Sequence, residues 1–283
     1  MLWLIASGRR GICGIASLSR TYQDVETRMS RLSEIFKRNS RCFIPFVTAG
    51  HPDLETTTRM VLSLAAHGAH VVELGIPFSD PIADGPVIQK SSFEALQHGY
   101  TLDDYLGLVR EVRRHSDVGM IFMSYLNPLY NFGLDRLDKE GCAAGLDGVL
   151  ISDLTPEAYE RLGTRLLLDT IFLAAPTSSD DRLKKICAHS RGFVYLVART
   201  GVTGGRTDID ALVPDTVARL RRYTELPICV GFGITSAEDV RRVWKHAEGA
   251  IVGSAIVRFI QEHQSEPDLA EKVGEYAGTF VGR

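Results

Sequence analysis

The sequence predicts an α/β fold, a single (β/α)8 TIM barrel, and three observations carry that reading. Eight short apolar runs recur along the chain, helical patterns fill the gaps between them, and the runs are continuous rather than alternating. Continuous runs are what strands covered on both faces should show. They lie at 42–49 (CFIPFVTA), 70–77 (HVVELGIP), 118–125 (VGMIFMSY), 148–154 (GVLISDL), 170–176 (TIFLAAP), 193–199 (FVYLVAR), 227–234 (PICVGFGI) and 249–254 (GAIVGS). Eight strand-then-helix units in a chain of 283 residues fit the barrel. A doubly wound open sheet is the competitor. It would carry a glycine-rich phosphate turn after the first strand, where this chain has Thr48-Ala49-Gly50-His51-Pro52 instead.

Residues 1–28 differ in composition from the rest of the chain. The segment opens apolar, then carries Arg9, Arg10 and Arg20 among small residues, with no acid before Asp24. That composition fits a targeting peptide, but the plainer reading is an upstream start, because Met29-Ser-Arg-Leu-Ser-Glu-Ile-Phe-Lys resembles a natural beginning with a short amphipathic helix. The organisation is thus an N-terminal extension over 1–28, expected to be disordered, and one barrel domain over 29–283. Within the barrel, residues 53–67 carry Thr57, Met60, Val61, Leu64 and Ala65 at helical spacing. Similar patterns cover 102–115, 134–144, 156–167, 179–189, 209–223 and 236–246. Ser179 and Ser236 precede acids in first turns, where they satisfy exposed N–H groups and the helix dipole.

Composition removes several function classes. A net charge of −3 gives no bulk attraction to nucleic acid or anionic membrane. The five cysteines lack C-x-x-C spacing, so reduced thiols in a cytoplasmic protein are expected rather than a disulfide framework or a zinc site. No apolar run approaches the ~18–20 residues that span a bilayer. No His/Asp/Glu grouping has metal spacing and no G-x-S-x-G pattern is present. The histidines are scattered, and most are assigned to solvated faces.

Two acids fall where a fold would least want them. Glu73 lies inside the second apolar run, and Asp84 stands eleven residues later in a loop stiffened by Pro77, Pro81 and Pro86. A carboxylate in a buried strand is costly unless the strand's C-terminal end opens to a pocket, and that end is where barrels of this kind place their active sites. Two acids in unlike settings can split roles, the buried one carrying a proton and the solvated one staying charged. The alternative is that Glu73 pairs with a buried base and Asp84 makes a turn contact.

A second constellation is glycine-rich. The sixth run ends Arg199-Thr200-Gly201-Val202-Thr203-Gly204-Gly205, the seventh Gly231-Phe232-Gly233, and the eighth Gly253-Ser254. Glycines let backbone amides approach an anion at a helix start, so three such turns at successive strand ends point to a phosphorylated small molecule, unless they are only tight turns. Tyr195 serves either a substrate or the core. Asn127 and Asp153 sit at strand ends, where either can also cap a helix.

At these residues the sequence resembles the tryptophan synthase alpha chain family over nearly all of 29–262. The resemblance is carried by Phe43-Ile44-Pro45-Phe46-Val47-Thr48-Ala49-Gly50, by Glu73 through Pro81, and by Ala83-Asp84-Gly85-Pro86. It continues in Gly201-Val202-Thr203-Gly204, Gly231-Phe232-Gly233-Ile234 and Gly253-Ser254-Ala255-Ile256-Val257. It implies retro-aldol cleavage of indole-3-glycerol phosphate to indole and glyceraldehyde 3-phosphate. Glu73 would then be the general acid/base, and Asp84 the acceptor for the indole N–H. The resemblance also implies substrate contacts from Phe46, Ile88, Tyr195, Thr203, Gly204, Phe232, Gly233, Gly253 and Ser254. It implies no cofactor on this chain. The partner would be a beta chain holding pyridoxal phosphate in an α2β2 complex, docked near Pro77, Asp80, Asn127 and Asp153. Two departures stand out: Thr155 replaces a usual proline, and the stretch 157–169 is about three residues short, which an outer helix tolerates.

Overall fold

The computed structural model describes residues 30–198, 209–231 and 233–282. The extension over 1–28 therefore lies outside the described residues. The chain enters through α1 (Arg31–Arg38), where the Ser30 side chain accepts a hydrogen bond from the Ser33 amide. Leu32 and Phe36, one helical turn apart, are its two buried residues. A methyl added at Gly119 or Gly192 would press on Leu32, so α1 plugs the end of the barrel where strands begin. Arg31 and Arg113 both bond Asp147 there, at 2.6 and 3.0 Å, and fasten the plug.

Strands and helices then alternate. The strands are β1 (Cys42–Thr48), β2 (Val71–Gly75), β3 (Gly119–Ser124), β4 (Gly148–Ile151), β5 (Asp169–Ile171), β6 (Leu173–Ala174), β7 (Val194–Val197), β8 (Ile228–Gly231) and β9 (Gly249–Val252). Every ladder is parallel, in the order β5-β4-β3-β2-β1-β9-β8-β7-β6. The two edges, β5 and β6, are halves of one predicted run interrupted at Phe172. The Phe172 carbonyl accepts from the Tyr195 amide at 3.2 Å, so the chain itself joins the edges and eight runs make the barrel.

Side-chain alternation separates two cores. Inside the barrel lie Ile44, Phe46, Val71, Ile121, Leu150, Ile171, Tyr195, Cys229 and Ile251, with Leu32 and Phe36 below them. Val47, Leu74, Phe122, Val149, Leu196 and Val230 face outward, under the helices. Each fully buried aliphatic or aromatic side chain contributes roughly 1.5–3 kcal/mol.

The helices after α1 are α2 (Leu54–Ala66), α3 (Pro86–Leu96), α4 (Leu102–His115), α5 (Leu126–Phe132), α6 (Leu134–Ala144), α7 (Pro156–Leu162), α8 (Asp180–His189), α9 (Ile209–Leu220), α10 (Ala237–Val243), α11 (Ser254–His263) and α12 (Leu269–Thr279). Two differ from expectation for a physical reason. Pro86, read as a loop stiffener, is the first residue of α3, where its missing N–H costs nothing. The pattern over 156–167 predicts a longer helix than α7, which stops where Gly163 turns left-handed at φ +67°. Beyond it, the Leu167 and Leu168 amides donate to Asp138 rather than to a helix, and Leu166 and Leu168 are buried in the outer core. Thr155 caps α7 by accepting from the Ala158 amide at 3.2 Å. Helices α3, α5, α11 and α12 fall outside the predicted patterns, although Leu269, Val273 and Ala277 do stand at helical spacing in α12.

Candidate active site

Because Val71 faces into the barrel, the two-residue period of β2 turns Glu73 and Gly75 inward as well. Glu73 is 1% exposed, and its Oε1 has no hydrogen-bond partner among the described residues. The pairing with a buried base allowed by the sequence is thus not seen. Burial pushes the Glu73 carboxyl up to about 8, and the negative charge of Asp84 adds to the effect. A neutral carboxylic acid at pH 7 is what an unpaired, dry position tolerates.

Asp84 reaches the same mouth from the loop between β2 and α3. Its backbone makes the turn contacts: the amide donates to the Pro81 carbonyl, and its own carbonyl accepts from Gln89 Nε2 at 2.8 Å. That leaves the carboxylate for other work. Oδ2 accepts from the Tyr125 hydroxyl at 3.0 Å, and that hydroxyl in turn accepts from the Ala83 amide at 2.9 Å. Burial raises Asp84 to about 6, and the Tyr125 hydrogen bond restrains the rise. Between about pH 6 and 8 the mouth therefore holds one ionised acid, Asp84, and one protonated acid, Glu73.

An apolar slot adjoins the pair. The Phe46 ring lies over Gly75, so closely that a methyl there would overlap its Cζ. A methyl at Gly253 would lie 3.6 Å from Phe46 Cβ and 3.9 Å from Ile88 Cδ1. Phe46, Gly75, Asp84, Ile88 and Tyr125 line one pocket together with Ser124 and Ser152, whose hydroxyls are buried and without hydrogen-bond partners among the described residues. Tyr195 points into the barrel, 3% exposed, against Gly231. Burial, with the nearby Glu73 charge second, raises its phenol well above the usual value. Gly253 precedes α11 without a side-chain cap, leaving the first-turn amides from Ser254 onward for an anion. Gly233 adopts φ +86°, a conformation that favours glycine. Thr203, Gly204 and Phe232 lie outside the described residues.

On the rim, Asp80, Asn127 and Asp153 are exposed, whereas Pro77 is buried within the chain itself. Asp153 does cap a helix: its Oδ1 accepts from the Leu126 amide, at the start of α5, at 2.7 Å. Ile82 and Tyr130, 85% and 62% exposed, flank this rim from the Asp84 loop and from α5. Sequence reasoning missed Tyr125, Ser124 and Ser152. The available signal was their position at strand ends, and Tyr125 stands two residues before Asn127. Among the described residues, no group of three or more His, Cys, Asp or Glu is placed to hold a metal ion. No helix there is long and apolar enough to cross a membrane.

A family model described as tryptophan synthase alpha chain matches residues 32–280. The tryptophan synthase alpha chain of Geotalea uraniireducens is 43% identical over 260 residues, covering 89% of this chain and 97% of that one. The Synechococcus elongatus protein of the same name is 44% identical over 247 residues, covering 84% and 92%. Among solved structures, the tryptophan synthase α2β2 complex of Pyrococcus furiosus has a chain 38% identical with a TM-score of 0.76, covering 87% and 99%. A ligand-free tryptophan synthase from M. tuberculosis has one at 31% identity with a TM-score of 0.77, covering 89% and 100%.

Proposed function

The chain belongs to the tryptophan synthase alpha chain family, lyases that cleave indole-3-glycerol phosphate to indole and glyceraldehyde 3-phosphate, and we propose how its own residues carry that reaction. Neutral Glu73 donates its proton to C3 of the indole ring, which makes the ring an electron sink. Ionised Asp84 accepts a hydrogen bond from the indole N–H and stabilises the positive charge growing there. The Glu73 carboxylate so formed takes the proton of the glycerol hydroxyl next to the ring. The bond between ring and glycerol carbon then breaks, its electron pair returns to the ring, and indole and the aldehyde leave.

The observation that supports this most is geometric: Glu73 is buried at the end of β2 with its Oε1 lacking a hydrogen-bond partner among the described residues, while Asp84, at the same mouth, accepts from the Tyr125 hydroxyl. Phe46 and Ile88 supply apolar walls for the indole, with Phe232 completing them. Gly233, Gly253 and Ser254 offer backbone amides to the phosphate, joined by Gly204. Tyr195 contacts substrate from the barrel floor, and Thr203 orients Asp84. The chain needs no cofactor of its own. It works in the cytoplasm with a beta chain that holds pyridoxal phosphate, in an α2β2 complex, and passes indole to it. Asp80, Asn127 and Asp153 form the docking rim, supported by the exposed side chains of Ile82 and Tyr130 beside them. Residues 29–283 make the barrel domain, and 1–28 stand outside it.

The test is indole release from indole-3-glycerol phosphate by the purified chain, alone and with a beta chain added. Weak activity that rises strongly on mixing is expected. Full activity alone would remove the partner from the reading, and no activity with an intact fold under either condition would remove the reaction.

A further inference from the structure

The Asp84 carboxylate is held not by its own loop but by a tyrosine from another element. Tyr125 ends the third apolar run and is the N-cap residue of α5. Its ring lies against Phe78, 5.2 Å between centroids, and its hydroxyl is used at both lone pair and proton: Ala83 N–H donates to it, and it donates to Asp84 Oδ2. The residue after it, Leu126, has its amide fixed by Asp153 on the exposed rim. Two hydrogen bonds and one peptide unit thus connect a surface carboxylate to a half-buried one.

We propose that Tyr125 is a positioning residue of Asp84, and that Asp153, by holding the Leu126 amide, sets where Tyr125 stands. The inference deepens the function proposed above and rests on it. It gives the docking rim a route to the acid that faces the indole nitrogen. A partner group that donates to the other Asp153 oxygen, Oδ2, would pin the carboxylate at the start of α5 and, with it, tighten the Tyr125–Asp84 bond. Since a hydrogen bond to the charged form lowers a carboxyl's pKa, loss of that bond raises the pKa. The other titratable groups facing Asp84 are Glu73 from β2 and Tyr195 from β7, with Asp80 in the same loop and Asp153 acting on Tyr125. All are acids, so none lowers the Asp84 pKa by supplying positive charge, and their ionisation can only raise it.

The experiment is a carboxyl NMR titration of the full chain labelled with 13C-aspartate, with Asp84 assigned through Asp84→Asn. It is run on the wild type and on Tyr125→Phe, Asp153→Ala and Asp153→Asn, beside pH–rate profiles. Tyr125→Phe keeps the ring against Phe78, and is expected to raise the Asp84 pKa by about one pH unit. The acid limb of its pH–rate profile should move by the same amount, with kcat down about tenfold and KM within about twofold. Asp153→Ala separates two physical causes by sign. Losing a nearby negative charge alone would lower the Asp84 pKa, whereas losing the cap raises it through Tyr125. Asp153→Asn keeps a cap acceptor but removes the charge, so its Asp84 pKa should not rise above the wild-type value. An unshifted Asp84 in a folded Tyr125→Phe chain overturns the proposal, and a lowered value in Asp153→Ala overturns the link to the rim. The titration needs no turnover, so a chain that fails to cleave the substrate would sink the function without deciding this point.

Discussion

Glu73 shows how one buried carboxyl trades stability for chemistry. Its pKa, raised from 4.5 to about 8, means that the folded chain holds the proton more tightly than the unfolded one. Its contribution to stability is therefore full below about pH 4.5 and is lost as pH rises through about 8. Glu73→Gln removes the ionisation, so above pH 8 it should be more stable than the wild type, by on the order of 3 kcal/mol in unfolding free energy. The same variant should lose turnover while still binding substrate, because shape is kept and the proton is not. A variant with lower stability at pH 9, or with lost binding, would contradict this account. Asp84→Asn should lose rate heavily but less completely, since an amide still accepts a hydrogen bond from the indole N–H but brings no charge. The wild-type kcat/KM profile is expected to be bell-shaped, with limbs near the two values of about 6 and about 8. A flat profile across that window would separate these acids from the chemistry.

Strand β2 and the elements beside it convert those residues into a site. Gly75 is required by its neighbour rather than by its own backbone, since the Phe46 ring occupies the space of a side chain. Gly75→Ala should cost about 1–3 kcal/mol in a urea titration and weaken substrate binding as Phe46 is pushed into the slot. An unchanged midpoint and KM would show that the ring moves freely. At this scale the sequence reads well where periodicity follows burial, as in the eight runs and the paired hydrophobic faces of α2 and α4. It fails where burial is irregular. Leu162 and Leu166 stand at helical spacing, but Gly163 ends α7 first and Asp138 captures the Leu167 and Leu168 amides. Helix α3 was hidden for the opposite reason: its buried residues include Ser91 and Ser92, which apolar spacing does not register. Ser91 is instead held by Thr48, 2.6 Å between hydroxyl oxygens.

The barrel as a whole depends on closing both its sheet and its lower end. The sheet closes through Phe172, and α1 seals the end where Asp147 takes Arg31, Arg113 and the Met120 amide. The Asp147 side chain is 5% exposed, and removing it from a largely buried ionic cluster strands the rest. Asp147→Ala is expected to lower unfolding free energy by about 3–5 kcal/mol, read by urea denaturation. A loss below about 1 kcal/mol would mean that water replaces the carboxylate there.

By itself the sequence determined the fold class and singled out two acids as candidates, because strand periodicity and an acid inside an apolar run are local properties that survive without neighbours. It also determined the glycine turns at the ends of β8 and β9, where Gly233 and Gly253 precede helices. Tertiary structure decided the rest. Whether Glu73 met a base, which element held Asp84, and whether Asp153 faced a partner or capped a helix all depend on groups far apart in the chain. Tyr125 and Asp84 are separated by forty-one positions, and Asp153 and Leu126 by twenty-seven. No periodicity spans such gaps, so only the closing of the barrel brings these groups within hydrogen-bond reach.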